Sequence, residues 1–531
     1  MELSPLQKER LKYEPKLPLL LSKIETAEAE EVERLPIDEK ITSLFPLSLK
    51  HKLVRFKEGN PSSKKNLKVG VLFSGGQAAG GHNVVIGLFD ALQKLGKENH
   101  LIGFLNGPKG LLENKSKPLN GELLASYRNQ GGFDLLGSGR TKIETDEQFE
   151  AAAKTVQALK LDGLVIIGGD DSNTTAALLS EFFLSQKIPT QVIGIPKTID
   201  GDLKNKYIEV SFGFDTAVKT FAEAVGSLSR DALSAKKYTF FVKLMGRTAS
   251  HLTLATALKT HPNLALIGEE IKAKKLTLKQ LTEQIADLVE KRASQGKEYG
   301  MVLIPEGVVE FIPEFALLLK ELNALFGEQL SPEQAVAKLS APSKSCYEAL
   351  PKSIQEQLLL DRDSHGNVQV SKIETERLFI SSVEEELKRR QFKGSFSPQP
   401  IFCGYEGRSC LPSNFDAQYC YALGFTAALL LQTGFTGTIA AIQNLAETPD
   451  KWIPLGVPLV TMLQLETRKG KSKPVIAKAL VDLNTAPFTT FASQRDTWAL
   501  SDDYSNPGPI QFFGPTGLTD SNPFSTGPFS H

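Results

Sequence analysis

The stretch GLVIIGGDDSNTTAALL, residues 163–179, decides how this chain folds. Its unbroken apolar run, Leu164–Ile167, lacks the alternation of a strand with one wet face. Bounded by glycines and followed by a helical pattern from Asp170, it is the text of a buried strand in a parallel sheet covered on both faces. The same grammar recurs outward in both directions. KVGVLF (68–73) runs into SGGQAAGG, QVIGI (191–195) into PKTIDGD, YTFFVKL (238–244) into MGRTASHLTLATAL, and YGMVLI (299–304) into PEG. Strands alternating with helices give an α/β fold, and ligands of such sheets bind outside the carboxyl ends of the strands. Every polar loop quoted falls at that edge.

The flanks differ from this core. Residues 1–65 form a charged, proline-punctuated N-terminal extension with helical patches such as Ile24–Leu35, and GNPSSKK (59–65) is expected as a linker. A helical insertion is expected at about 312–392, where PEFALLLKELNALF and KIETERLFISSVEEELKRR replace strand text; it suits a lid or interface element. Residues 501–531 are expected as a Pro/Gly-rich C-terminal tail.

Composition sets outer limits. A chain of 531 residues has room for about two to four domains. With 61 Lys and Arg against 61 Asp and Glu the net charge is zero, which argues against broad binding to nucleic acid or an anionic membrane. Cys346, Cys403, Cys410 and Cys420 form no CxxC pair, which fits a reducing compartment. The start, MELSPLQKER, lacks a signal-peptide pattern. The most apolar stretch, Tyr421–Ile442, is broken by Thr426, Gln432, Thr433, Gly434 and Gly437, so it is expected as a buried helix and a strand rather than a membrane span. The expectation is a soluble, cytoplasmic protein.

Three loops carry chemistry. In Ser74-Gly75-Gly76 through Gly80-Gly81, glycines let backbone N–H groups approach phosphate oxygens, although a tight turn alone would read the same. No Lys-Ser/Thr follows, so it is not a Walker loop, and GG-x(3)-GG is a poor dinucleotide fingerprint. Asp170 and Asp171 begin a helix after a buried strand; one could cap it, or one could hold Mg2+, which takes few protein carboxylates and shares phosphate oxygens. The third loop, Pro196 to Asp202, joins Lys197 and Thr198 to Asp200 and Asp202. Phosphoryl transfer needs that mixture, a base for the attacking hydroxyl and cations for charge on the equatorial oxygens. The histidines, His51, His82, His100, His251, His261, His365 and His531, are scattered and form no HExxH or Ser–His pattern.

The ordered motifs GGDDSN, PKTIDGD, KLMGRTASH, IPEG and GYEGRS resemble the phosphofructokinase family, and more closely its long, pyrophosphate-dependent branch, from Lys68 to about Gln443. The resemblance implies two Rossmann-like lobes with parallel-rich sheets. A phosphoryl-donor lobe would span 66–210, completed by 415–500, and a sugar-phosphate lobe 211–414. It implies reversible transfer of phosphate from pyrophosphate to the 1-hydroxyl of fructose 6-phosphate, with Mg2+ as cofactor.

By position in these motifs, Asp200 would be the base and Asp202 its support, with Lys197, Asp171 and Arg247 also catalytic. Asp170 would bind Mg2+; Gly75, Gly76 and Arg140 would hold pyrophosphate. Thr198, Ile199, Met245, Gly246, Arg247 and Glu306 would contact the sugar, and Tyr405 and Arg408 would grip the 6-phosphate, a task suited to the planar guanidinium. Where many relatives place an Arg seven residues before the MGR methionine, this chain has Tyr238, preceded by Lys237. The long branch contributes that pair across a dimer, so a homodimer with a shared site is implied; Tyr238 could also simply begin a strand.

The ATP-using branch generally has Gly at the positions of Asp171 and Lys197. A carboxylate about 4 Å from a nucleotide's α-phosphate costs roughly 4 kcal/mol at an effective dielectric of about 20, while Lys197 supplies charge to a leaving group that lacks the nucleotide's other anchors. The rival readings are an ATP-dependent 6-phosphofructokinase and a non-catalytic regulatory subunit; intact TIDGD counts against the latter. The double variant Asp171→Gly, Lys197→Gly is expected to shift donor preference toward ATP. An unchanged ratio of kcat/KM for the two donors would sink this explanation.

Overall fold

The computed structural model describes residues 3–59, 65–328, 330–360, 362, 367–468 and 471–508. Along these residues the strands are β1 (Ala27–Glu31), β2 (Val54–Glu58), β3 (Lys68–Ser74), β4 (His100–Phe104), β5 (Ser116–Leu119), β6 (Ser138–Gly139), β7 (Gly163–Gly168) and β8 (Gln191–Pro196). They continue with β9 (Thr239–Leu244), β10 (Leu264–Ala265), β11 (Gly300–Pro305), β12 (Pro398–Cys403), β13 (Thr438–Gln443), β14 (Ile453–Pro458), β15 (Leu463–Arg468) and β16 (Lys471–Ile476).

The larger sheet has the order β1-β2-β14-β13-β8-β7-β3-β4-β5, with β6 pairing β3 beside that row. Its middle, β13-β8-β7-β3-β4, is parallel, and its flanking pairs are antiparallel. The smaller sheet, β10-β11-β9-β12, is parallel throughout. Strands β7, β9 and β11 are buried along their whole length, which is why they carry no polar alternation. The register decides what meets at the strand ends: Gly168 pairs with Pro196, so the loop after β7 lies beside the loop after β8. The α/β fold with parallel-rich sheets is as expected.

One face of the larger sheet is covered where the helix Gly81–Leu95 crosses the helix Asn414–Gln432 almost backbone to backbone. Gly87 abuts the Tyr421 carbonyl and Gly424 abuts the Val84 carbonyl, leaving no room for a Cβ on either. The stretch 421–442 is indeed a buried helix leading into β13, and no helix among the described residues is long and apolar enough to cross a membrane.

The stretch at about 312–392 is helical, with helices Pro313–Gly327, Pro332–Ala337, Ala341–Glu348, Lys352–Leu360 and Thr375–Arg389. Phe315, Leu318, Phe379 and Val383 pack in one cluster with Phe241 of β9 and Val302 of β11.

The N-terminal extension corrects one expectation. Ile24–Leu35 is not helical: a 3-10 turn at Ile24–Thr26 leads into β1, which pairs antiparallel with β2 and places Ala29 opposite Phe56. Ala27-Glu28-Ala29-Glu30 alternates with period two, and a sequence-distant strand satisfies its backbone, which outweighs the helix preference of Ala and Glu. Residues 60–64 of the expected linker and 509–531 of the expected tail lie outside the described residues. Residues 501–508 pack on the smaller-sheet side, where Asp502 meets Arg292 Nη2 at 2.8 Å and Tyr504 donates to Asn263 Oδ1 at 2.6 Å.

Overpacking a helix crossing forces whole backbones apart. Gly424→Val is expected to lower the unfolding free energy by about 3 kcal/mol, measured by urea denaturation. A midpoint equal to wild type would show that the crossing is not tight.

Candidate active site

A cleft of about 450 Å3 opens at the carboxyl ends of β3, β7, β8 and β9. Asn173, fully buried, staples the two central loops: its amide donates to the carbonyls of Gly168 at 2.7 Å, Gly169 at 2.9 Å and Ile195 at 3.3 Å. This explains Asn in GGDDSN, because one side chain ties the carbonyls that end β7 and β8 to the first turn of the following helix. Ser172 Oγ donates to Ser74 Oγ at 2.8 Å and draws in the glycine loop after β3.

That loop is shaped for an anion. Gly75 has φ +85°, and a Cβ on it would stand 3.3 Å from Lys197 Nζ, while one on Gly76 would stand 3.4 Å from Arg408 Nη2. The glycines thus keep free the space over which two cations lean. Arg408, expected at the sugar 6-phosphate, therefore reaches toward the donor loop, with its guanidinium 5.0 Å from the centroid of the Tyr405 ring.

The base loop is tightly tied. Lys197 N–H donates to Gly168 O at 3.0 Å and Ser211 Oγ to Thr198 O at 2.9 Å. Thr248 Oγ1 donates to Asp202 Oδ2 at 2.8 Å, linking this loop to the one after β9. Gly201 has φ +73° with the Phe214 ring 2.9 Å from where a Cβ would be, so TIDGD needs its glycine for both conformation and space. At the ends of β9 and β11, Gly246 N–H donates to Glu306 Oε2 at 3.0 Å. Gly307 abuts the Arg247 carbonyl with no space for a Cβ, which accounts for the glycine of PEG.

The lining unites Gly75, Gly76, Arg140, Asp170, Asp171, Lys197, Thr198, Ile199, Asp200, Asp202, Met245, Arg247, Glu306, Tyr405 and Arg408. Gly246 sits just behind, bound to Glu306. Lys237 and Tyr238 are not part of this lining; Lys237 Nζ lies 4.7 Å from the Tyr238 ring centroid at the amino end of β9.

Sequence reasoning missed Lys478, which lies 3.5 Å from Asp170 Oδ2 and 3.9 Å from Asp202 Oδ2. It also missed Lys142, 3.3 Å from Asp171 Oδ2, and the insertion residues Arg362, Gln369 and Ser371, which reach the lining. Lys142 stood in plain view in GSGRTK beside Arg140. The others occupy no motif.

Burial and mutual charge set the protonation chemistry. Burial, then the neighbouring Asp202, pushes Asp200 up to about 7, against the opposing charges of Arg247 and Lys478. Burial draws Lys197 down to about 8, with Asp170 and Asp200 opposing. Burial also raises Glu306, partly offset by the Gly246 N–H and the charges of Lys243, Arg247 and Arg408. A carboxylate poised near neutrality in a cleft can take and return a proton.

Among the described residues no three His, Cys, Asp or Glu side chains converge as a metal set. Asp170 lines the cleft beside Asp171, which Lys142 holds at 3.3 Å, and such a donor set fits a hard divalent cation completing its shell with water and phosphate oxygens.

The family model described as phosphofructokinase matches residues 68–431. The chain is 51% identical over 522 residues to the pyrophosphate–fructose 6-phosphate 1-phosphotransferase subunit beta of Solanum tuberosum, covering 96% of this chain and 92% of that protein. It is 47% identical to the pyrophosphate–fructose 6-phosphate 1-phosphotransferase of Treponema pallidum (strain Nichols), covering 98% and 96%. The crystal structure of pyrophosphate-dependent phosphofructokinase from Nitrosospira multiformis shares the fold, with a TM-score of 0.55 at 18% identity over 83% of this chain and 93% of that one.

With Asp200 as proton acceptor, kcat/KM of the expected transfer should fall as pH drops through about 7, where the carboxyl gains its proton. The same raised value means that Asp200 favours the folded state less as pH rises from the ordinary carboxylate range toward 7. Asp202→Asn removes the second cause of the shift, so the acid limb should move to lower pH. A limb that stays in place would count against this coupling.

Proposed function

Because this chain belongs to the phosphofructokinase family, we propose that it transfers a phosphoryl group reversibly from pyrophosphate to the 1-hydroxyl of fructose 6-phosphate. The products are fructose 1,6-bisphosphate and phosphate. The observation that carries this reading is the charge arrangement on the donor side: buried Lys197 leans over Gly75, and Asp171, on the first turn of its helix, is held by Lys142 at 3.3 Å. A short, highly charged donor is suited to a buried lysine, while a longer nucleotide would have to pass a carboxylate.

In the forward direction the sugar 1-oxygen forms a bond to the terminal phosphorus. The bond from that phosphorus to the bridging oxygen breaks, and its electron pair leaves on phosphate. The hydroxyl proton passes to Asp200, held close by the tied loop through Asp202. Arg140, Lys197 and Arg247 offset charge on the phosphate oxygens, so catalysis is positioning plus electrostatics. Glu306 accepts sugar hydroxyls, and Tyr405 and Arg408 hold the 6-phosphate, which asks Arg408 to swing from the donor loop. In reverse, neutral Asp200 returns the proton. Mg2+, held by Asp170, would neutralise pyrophosphate charge when bound.

The larger sheet supports a donor lobe of 66–210 completed by the first part of 415–500, since β13 and β14 join it beside β8, whereas the helix Ala486–Leu500 packs against β10 and helices of the smaller-sheet side; the sugar lobe is then 211–414 with its insertion. We further propose a cytoplasmic homodimer in which Lys237 and Tyr238 serve the neighbouring subunit's sugar phosphate. Exposed Lys237 at the amino end of β9, away from its own cleft, supports that arrangement.

Purified chain alone, given fructose 6-phosphate and Mg2+, is expected to turn over with pyrophosphate and not with ATP. Turnover with ATP alone would replace the donor, and inactivity rescued only by a second kind of chain would favour the regulatory subunit.

A further inference from the structure

Lys478 belongs to no motif, yet its ammonium lies within 4 Å of carboxylates from two different strand ends: Asp170 Oδ2 at 3.5 Å and Asp202 Oδ2 at 3.9 Å. It therefore stands on the seam between the donor loop after β7 and the base loop after β8. We propose that Lys478 is a further catalytic residue, which contacts the non-bridging oxygens of the phosphoryl group as it crosses that seam. The proposal rests on the pyrophosphate reading above and adds a cation that the motifs omit.

The chain around Lys478 is clamped on both sides. Ile476 N–H donates to Thr174 Oγ1 at 3.0 Å on the donor-side helix, and Ala477 N–H to Met462 O at 3.0 Å across the hairpin mouth. Ala479 N–H donates to the Asp202 carbonyl at 2.8 Å, the Ala479 carbonyl meets His251 Nε2 at 2.9 Å, and Val481 N–H donates to Glu269 Oε1 at 2.9 Å. The strap from the β15–β16 hairpin thus ties the donor helix, the base loop and the helix after MGRTAS together around one lysine.

The side chain stays 31% exposed, and that exposure is to the cleft it lines. The two carboxylates do not enclose its ammonium. The group has three donors, two carboxylates in reach and an open side where phosphate oxygens must pass. Asp170 and Asp202 aim it. Lys197, over Gly75 on the other side of the donor loop, gives the second charge. Through the transfer Lys478 keeps all its protons: the sugar oxygen gains the phosphorus, the bridging oxygen leaves with the bonding pair, and the hydroxyl proton goes to Asp200. The lysine only offsets charge on the equatorial oxygens.

The test uses the full chain with pyrophosphate, Mg2+ and fructose 6-phosphate. Lys478→Met is expected to lower kcat about a hundredfold in both directions, with KM for fructose 6-phosphate within about threefold of wild type and an unchanged near-UV circular dichroism spectrum. Lys478→Arg should recover at least about tenfold of that loss. Active wild type with an unimpaired Lys478→Met, or a Met loss that follows an unfolded fraction and is not eased by Arg, overturns the proposal alone. Wild type inert with pyrophosphate overturns the reading beneath it and the proposal with it.

Discussion

Asp170, Asp200 and Asp202 share one cleft only because two lysines, Lys197 of the loop that carries Asp200 and Asp202 and the sequence-distant Lys478, lie among them. Like charges at such separations repel strongly once water is displaced, and burial together with Asp202 already drives Asp200 up to about 7. Lys478 beside Asp170 and Asp202, and Lys197 within the field of Asp170 and Asp200, offset that repulsion. The balance is local. It leaves one carboxyl near neutrality with cations beside it, and a neutral chain needs no wider basic surface.

The fold serves that balance through parallel strand ends. The pairing of Gly168 with Pro196 brings the acidic helix start and the base loop side by side, and Asn173 holds them there through three carbonyls. The smaller sheet brings β9 and β11 together so that Gly246 can bind Glu306. Close backbone approaches at Gly307 and Gly424 set how near the pieces can come. The clamped strap after β16 crosses between the two sheets and adds the final cation.

Much of the site was legible because loops at strand ends are short and their residues face one direction. GGDDSN, PKTIDGD and PEG each carry their functional side chains within a few positions, so strand periodicity alone put Asp170, Lys197, Asp200 and Glu306 at one edge. Legibility failed where partners are remote. The Ala/Glu run at residues 27–31 favours a helix locally, and only β2 makes it a strand. Lys478 follows a hairpin with no local pattern, and Arg362, Gln369 and Ser371 enter the cleft only because the insertion folds back upon it. Arg408 was expected at the sugar 6-phosphate, but its lean toward Gly76 depends on packing around Tyr405.

The sequence by itself determined the parallel α/β core, the strand-end loops, and the carboxylates with a lysine among them, since each rests on residue types within one turn or strand. Only the tertiary structure decided which cation faces which carboxylate, that Asp200 rises toward neutrality, and that Lys478 and the insertion complete the cleft. The reason is range: hydrophobic period and turn chemistry act over neighbouring residues, whereas desolvation and charge act across space on whatever the sheet order brings together.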